Sequence, residues 1–145
     1  MFTLKLVNRL HMPTKHVLIC EDDVTNQGAL LGVFERLFGH QGHVQVSVVP
    51  GAFYAYAMMH SGALVDLILL DHDMPTGDGV ELLRWMKTAV LPKLNETKVI
   101  TASGIQSNND RLMAAGADYK FVKAEIVGGL ADKLLVEILG ERVQA

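Results

Sequence analysis

The sequence holds a single cysteine, Cys20, no run of Lys or Arg, and no apolar stretch approaching the length of a membrane span. One cysteine cannot close an internal disulfide, and a lone thiol inside an apolar run suits a reducing compartment, where it serves as a small buried hydrophobe. Thirteen Lys and Arg stand against 16 Asp and Glu, a net charge of -3, so the basic footprint of a nucleic-acid or anionic-membrane binder is missing. Neither partner is expected. Apolar runs such as Leu67-Ile68-Leu69-Leu70 fall far short of the roughly 18 residues that a membrane span needs. Residues 1–14 contain Lys5 and Arg9 but neither a continuous apolar core nor a small-residue cleavage site. They do not read as a signal peptide, and a cytoplasmic location is expected.

What the chain does have is 145 residues, half of them hydrophobic and a fifth charged, which suits one compact domain that buries about two-thirds of its unfolded surface. Short β-type apolar runs alternate with stretches of helical period. The strands are expected at Val17–Cys20, Val44–Val49, Leu67–Leu70, Val99–Thr101 and Phe121–Val122. Leu30, Leu31, Phe34, Leu37 and Phe38 recur at helical spacing before Gly39, which is placed to end the first helix. A second helix is expected from about Pro50 to His60, and a third from about Gly79 to Val90. A fourth is expected after the capping candidates Ser107-Asn108-Asn109-Asp110, ending at Gly116. The fifth, Ile126 to Leu139, puts Val127, Leu130, Leu134 and Ile138 on one stripe, although Gly128-Gly129 weakens its first turn. Strands apolar throughout and separated by helices imply an α/β fold, a parallel sheet covered on both faces.

Six of the 16 acidic residues gather after two strands: Glu21-Asp22-Asp23 after the first, and Asp71, Asp73 and Asp78 after the third. Ligands of open parallel sheets bind outside the carboxyl ends of the strands, so the two groups are expected to converge. Carboxylates within about 4 to 6 Å of one another repel unless a cation compensates. Oxygen ligands without His or Cys clusters favour Mg²⁺ over Zn²⁺. Alternation turns His72 away from Asp71 and Asp73, and a lone histidine is ordinarily structural. Asp23 and Asp78 suit turn or cap roles. Thr101 and Lys123 close the fourth and fifth strands on the same rim, and an Asp flanked by a metal ion and Lys is a competent nucleophile toward a phosphoryl group.

The stretches His16–Asp23, Asp71–Gly79 with Met74-Pro75, Thr101-Ala102, Ala115-Gly116-Ala117-Asp118 and Lys123 resemble the receiver domain of two-component response regulators over about residues 15 to 140. The resemblance implies a flavodoxin-like (βα)5 fold with strand order 2-1-3-4-5, over residues 15–142. It further implies that Asp71 accepts a phosphoryl group from a phosphohistidine on a sensor histidine kinase or histidine phosphotransfer protein. Asp22 and Asp71 would hold Mg²⁺ (or a similar hard cation such as Mn²⁺) through their side chains, Asp73 through its carbonyl, and Glu21 mainly through water. Thr101 and Lys123 would contact the phosphoryl oxygens, and Asp73 and Ser103 stand at positions that tune phosphoryl lifetime. On this reading the protein is a signalling switch rather than an enzyme, catalysing only its own phosphorylation and dephosphorylation. It would signal by contact with a downstream protein, as a monomer or homodimer.

Two positions depart from the family. Lys120 stands where an inward-swinging Tyr or Phe is usual, and Ala124 follows Lys123 in place of a proline. A cis bond before Ala would cost about 3 to 4 kcal/mol, so a trans Lys123-Ala124 bond is expected. Lys120 and Ala124 are the support for an alternative, a pseudo-receiver that signals without phosphorylation. A haloacid-dehalogenase-type phosphatase is a second alternative, set by Asp71 and Asp73, but it needs Thr or Val where Pro75 stands. The chain ends soon after the fifth helix, so no appended effector is expected. Residues 1–14 are either a native arm or a misassigned start, with Met12 four residues before the strand run.

Overall fold

A computed structural model describes residues 14–39, 42–71, 79–89 and 96–140. Its elements are β1 (Lys15–Cys20), α1 (Val24–Phe38), β2 (Val44–Val49), α2 (Ala52–His60), β3 (Leu67–Leu70) and α3 (Gly79–Thr88), followed by β4 (Lys98–Thr101), α4 (Gln106–Ala114), β5 (Tyr119–Lys120), α5 (Lys123–Val127) and α6 (Asp132–Leu139). The strands form one parallel sheet of order β2-β1-β3-β4-β5, the flavodoxin-like arrangement.

Because successive strand residues face opposite ways, each central strand feeds two cores. Leu18, Cys20, Ile68, Leu70 and Val99 pack under α2, α3 and α4, whereas Val17, Ile19, Leu67, Leu69 and Ile100 pack under α1, α5 and α6. This is why β1 and β3 read as unbroken apolar runs. Gly79 opens α3 because space is lacking: a Cβ there would lie 3.0 Å from Leu112 Cδ2 and 3.3 Å from Leu70.

The chain departs from expectation at its end. The regular fifth strand is Tyr119–Lys120, not Phe121–Val122. Looser 3.3 Å bonds from Phe121 N–H to the Thr101 carbonyl and from Lys123 N–H to the Ser103 carbonyl carry the pairing onward. The Phe121 carbonyl is instead taken by the Asn109 side chain. The expected fifth helix is two helices. Gly129, at φ +96°, stops α5, and the bonds from Gly129 N–H to the Ile126 carbonyl and from Leu130 N–H to the Glu125 carbonyl complete a Schellman turn. That break shifts the helical phase. Ile126, Ala131, Leu135 and Leu139 are the buried residues, while Val127 and Leu130 of the expected stripe are 43% and 68% exposed.

Candidate functional site

The order of the sheet reverses beside β1, which has β2 on one side and β3 on the other, and the acidic groups stand at the carboxyl ends of β1 and β3. Backbone bonds hold both loops to the strand ends. The Glu21 N–H donates to the Val49 carbonyl at 3.0 Å, and the Asp71 N–H donates to the Cys20 carbonyl at 3.2 Å. Gln27 of α1 donates to the Glu21 carbonyl at 2.7 Å. Asp23 does what its position suggested, accepting the Asn26 N–H at 2.8 Å as the N-cap of α1.

Glu21, Asp22 and Asp71 each offer an oxygen within 4.8 Å of the others. Glu21 is 1% exposed and Asp71 is buried as well, while Asp22 faces solvent. Burial pushes the Glu21 carboxyl above its ordinary value of 4.5; hydrogen bonds from Lys123 and the Asp23 N–H pull it back in part, and the Asp71 charge adds to the rise. Cys20, just beneath, is pushed up to about 12 by burial and then by Asp71, so its thiol stays protonated and inert.

Lys123 reaches this cluster from the first residue of α5. Its ammonium is ion-paired to Glu21 and lies 3.7 Å from Asp71 Oδ2. The Lys123-Ala124 peptide is trans, and the helix starts at Lys123 itself, with Glu125 accepting the Val122 N–H at 2.8 Å. Thr101 pairs in register with Leu70, next to Asp71. Its hydroxyl is fully buried and has no hydrogen-bond partner among the described residues. A buried hydroxyl without a partner is costly, so an acceptor oxygen brought to it would be well received. Three carboxylate oxygens, one of them on the surface, beside a half-buried ammonium suit a hard divalent ion with open positions for phosphate oxygens.

The other expected site residues are placed differently. Lys120 lies on the surface, paired with Asp110 of α4 at 2.9 Å, and Tyr119 and Phe121 on either side of it pack toward the α1 core. The Ser103 hydroxyl is buried and accepts the Ile105 N–H at 3.2 Å. His72, Asp73, Pro75 and Asp78 lie outside the described residues.

The sequence marks Asn109 only as one of several capping candidates for α4. It sits inside α4, fully buried, with Oδ1 accepting the Ser103 N–H at 3.0 Å and Nδ2 donating to the Ser103 and Phe121 carbonyls at 3.2 and 2.9 Å. A polar residue at a helix start carries no sequence signal of such burial.

Several solved structures share this architecture. One is the receiver domain of the sensor histidine kinase PA1611 from Pseudomonas aeruginosa PAO1, with a magnesium ion coordinated in its active-site cleft; it is 19% identical at TM-score 0.70, over 88% of this chain and 99% of that one. Another is the phosphorylated cyanobacterial phytochrome response regulator RcpA, 17% identical at TM-score 0.70 over 90% and 97% of the two chains. A third is the signal receiver domain of a histidine kinase from Syntrophus aciditrophicus, 26% identical at TM-score 0.67 over 91% and 97%. No curated protein sequence matches the chain. The family model described as the response regulator receiver domain matches residues 17–134, a stretch that runs from within β1 to the first turn of α6 and holds every one of the site residues above. With the strand order, the acidic cleft and this match in agreement, the chain belongs to the response-regulator receiver domains of two-component signalling.

Proposed function

We propose that the protein is a phosphorylation-dependent switch in which Asp71 accepts a phosphoryl group from a phosphohistidine of a sensor histidine kinase or phosphotransfer protein. The observation that carries this reading is the convergence of Glu21, Asp22 and Asp71 on Lys123 at the sheet's switch point. The magnesium-bound PA1611 receiver and the phosphorylated RcpA, which share the fold, support it.

Glu21, Asp22 and Asp71 would hold Mg²⁺ or Mn²⁺, and Asp73 would add its carbonyl. A cation held there would supply charge neutralisation at the phosphoryl oxygens. Asp71 attacks phosphorus through one carboxylate oxygen as the bond to the donor imidazole breaks, and Lys123, shared between Asp71 and Glu21, offers its charge to the incoming oxygens. Thr101 donates its buried hydroxyl to one of them. Phosphorylation adds nearly two negative charges, and a tenfold shift in the active population needs only about 1.4 kcal/mol of differential interaction. The protein turns over no external substrate in this reading, works in the cytoplasm, and signals by contact with a downstream protein.

Incubation with acetyl phosphate and Mg²⁺, followed by intact mass, tests this. Wild type is expected to gain one phosphoryl mass and Asp71→Asn none. An unmodified wild type, or an equally modified Asp71→Asn, overturns the assignment.

A further inference from the structure

The two loops that carry Thr101 and Lys123 are bridged by one buried side chain in addition to backbone bonds. Ser103 lies two residues after Thr101, and Phe121 lies two residues before Lys123. Asn109 spends both amide donors and its acceptor on these two residues: Oδ1 takes the Ser103 N–H at 3.0 Å, and Nδ2 reaches the Ser103 and Phe121 carbonyls at 3.2 and 2.9 Å. Two backbone bonds also run directly between the loops, from the Phe121 N–H to the Thr101 carbonyl and from the Lys123 N–H to the Ser103 carbonyl, both at 3.3 Å.

We propose that Asn109 is a positioning residue, which makes the Thr101 loop, the Lys123 loop and the first half of α4 one unit, so that Thr101 and Lys123 close on a phosphoryl group together and α4 moves with them. The proposal rests on the switch chemistry above. Lys120 stands where an aromatic connection is usual, and its side chain points to solvent, held to Asp110 by a pair that is about half exposed on both sides. Exposed pairs couple weakly. The Asn109 amide, by contrast, is fully buried and has three geometrically distinct partners; buried hydrogen-bond networks are the ones that resist deformation. Its position on α4 lets a shift of either loop be felt by the helix without any inward swing of a side chain.

Asn109→Asp keeps the volume and the acceptor but turns a donor into an oxygen facing two carbonyls, and Asp110→Asn removes only the surface pair. The full chain is treated with acetyl phosphate and Mg²⁺, read by intact mass over time and by amide hydrogen exchange before and after. In wild type, phosphorylation is expected to slow exchange at Ser103–Ile105 and Phe121–Lys123 together. Asn109→Asp is expected to bind Mg²⁺ within about twofold of wild type, to phosphorylate about tenfold more slowly, and to lose the joint protection of the two loops. Asp110→Asn is expected to match wild type. Asn109→Ala, which buries no charge, is expected to show the same uncoupling and guards against a variant that does not fold. Folded Asn109 variants with the wild-type rate and joint protection overturn the positioning role. So does failure of both variants to fold, which would make Asn109 a bracket for stability alone. A wild type that takes up no phosphoryl group overturns the switch chemistry and this role with it.

Discussion

Lys123 binds two carboxylates that come from different strands: its ammonium is ion-paired to Glu21 after β1 and stands 3.7 Å from Asp71 Oδ2 after β3. The Glu21 side chain is 1% exposed and that of Lys123 is 15% exposed, so the pair works in a poorly solvated setting where removing one partner strands the other. A cation already shared between two carboxylates can turn to new oxygens without crossing open solvent. The same arrangement makes the site's chemistry visible in the stability of the fold.

Lys123→Met is expected to destabilise the protein by about 3 kcal/mol at neutral pH, because it leaves the Glu21 carboxylate buried beside Asp71 with no cation. Adding Glu21→Gln to it should recover most of that loss. Urea unfolding of the single and double variants measures this, and a double variant no more stable than Lys123→Met would refute the coupling.

Burial, with a further contribution from Asp71, holds Glu21 above its ordinary 4.5 in the folded protein. An acid raised in this way contributes stability below its unfolded value and loses it as pH rises through the folded value. Without divalent ions, stability attributable to Glu21 should therefore fall as pH climbs from about 4.5, and Glu21→Gln should lack that fall. Saturating Mg²⁺ should flatten it in wild type, since a cation favours the carboxylate. Melting temperatures across a pH series, with EDTA and with Mg²⁺, decide the matter; identical slopes in wild type and Glu21→Gln would count against it.

Thr101→Val removes a buried hydroxyl that has no partner among the described residues while keeping the shape. The unphosphorylated variant is expected to be equal to wild type or more stable by about 1 kcal/mol. Its gain in melting temperature on treatment with beryllofluoride and Mg²⁺ should be much smaller than that of wild type. A loss of more than about 1 kcal/mol in the untreated variant would mean that the hydroxyl is already bonded.

The break between α5 and α6 assigns opposite outcomes to neighbouring apolar residues. Ile126→Ala should cost about 3 kcal/mol, as deletion at a fully buried site does, whereas Leu130→Ser at a 68% exposed position should stay within about 0.5 kcal/mol of wild type. A single helix carrying Val127, Leu130, Leu134 and Ile138 inward would reverse that order in urea unfolding.

Much of the fold is written locally. The β1 and β3 segments, Val17–Cys20 and Leu67–Leu70, are buried on both faces and so appear as unbroken apolar runs. Gly39 closes α1, and Asp23 caps it, through interactions spanning only a few residues. The site carboxylates follow the strand ends in sequence, and a parallel sheet brings strand ends together whatever the details of packing. The end of the chain was harder to read. Periodicity over Ile126–Leu139 assumes one continuous helix, and a left-handed residue at Gly129 resets the phase without changing the composition.

By itself the amino-acid sequence determined the order of elements as far as the fifth strand and the acids, hydroxyl and ammonium that line one rim, because strand burial, caps and strand ends are local or follow from topology. Only the tertiary structure decided that Lys123 is held between Glu21 and Asp71, that Lys120 is spent on the surface with Asp110, and that Asn109 is buried as the tie between Ser103 and Phe121. Each of these is a side-chain partnership between different elements, set by the distance and desolvation that packing imposes.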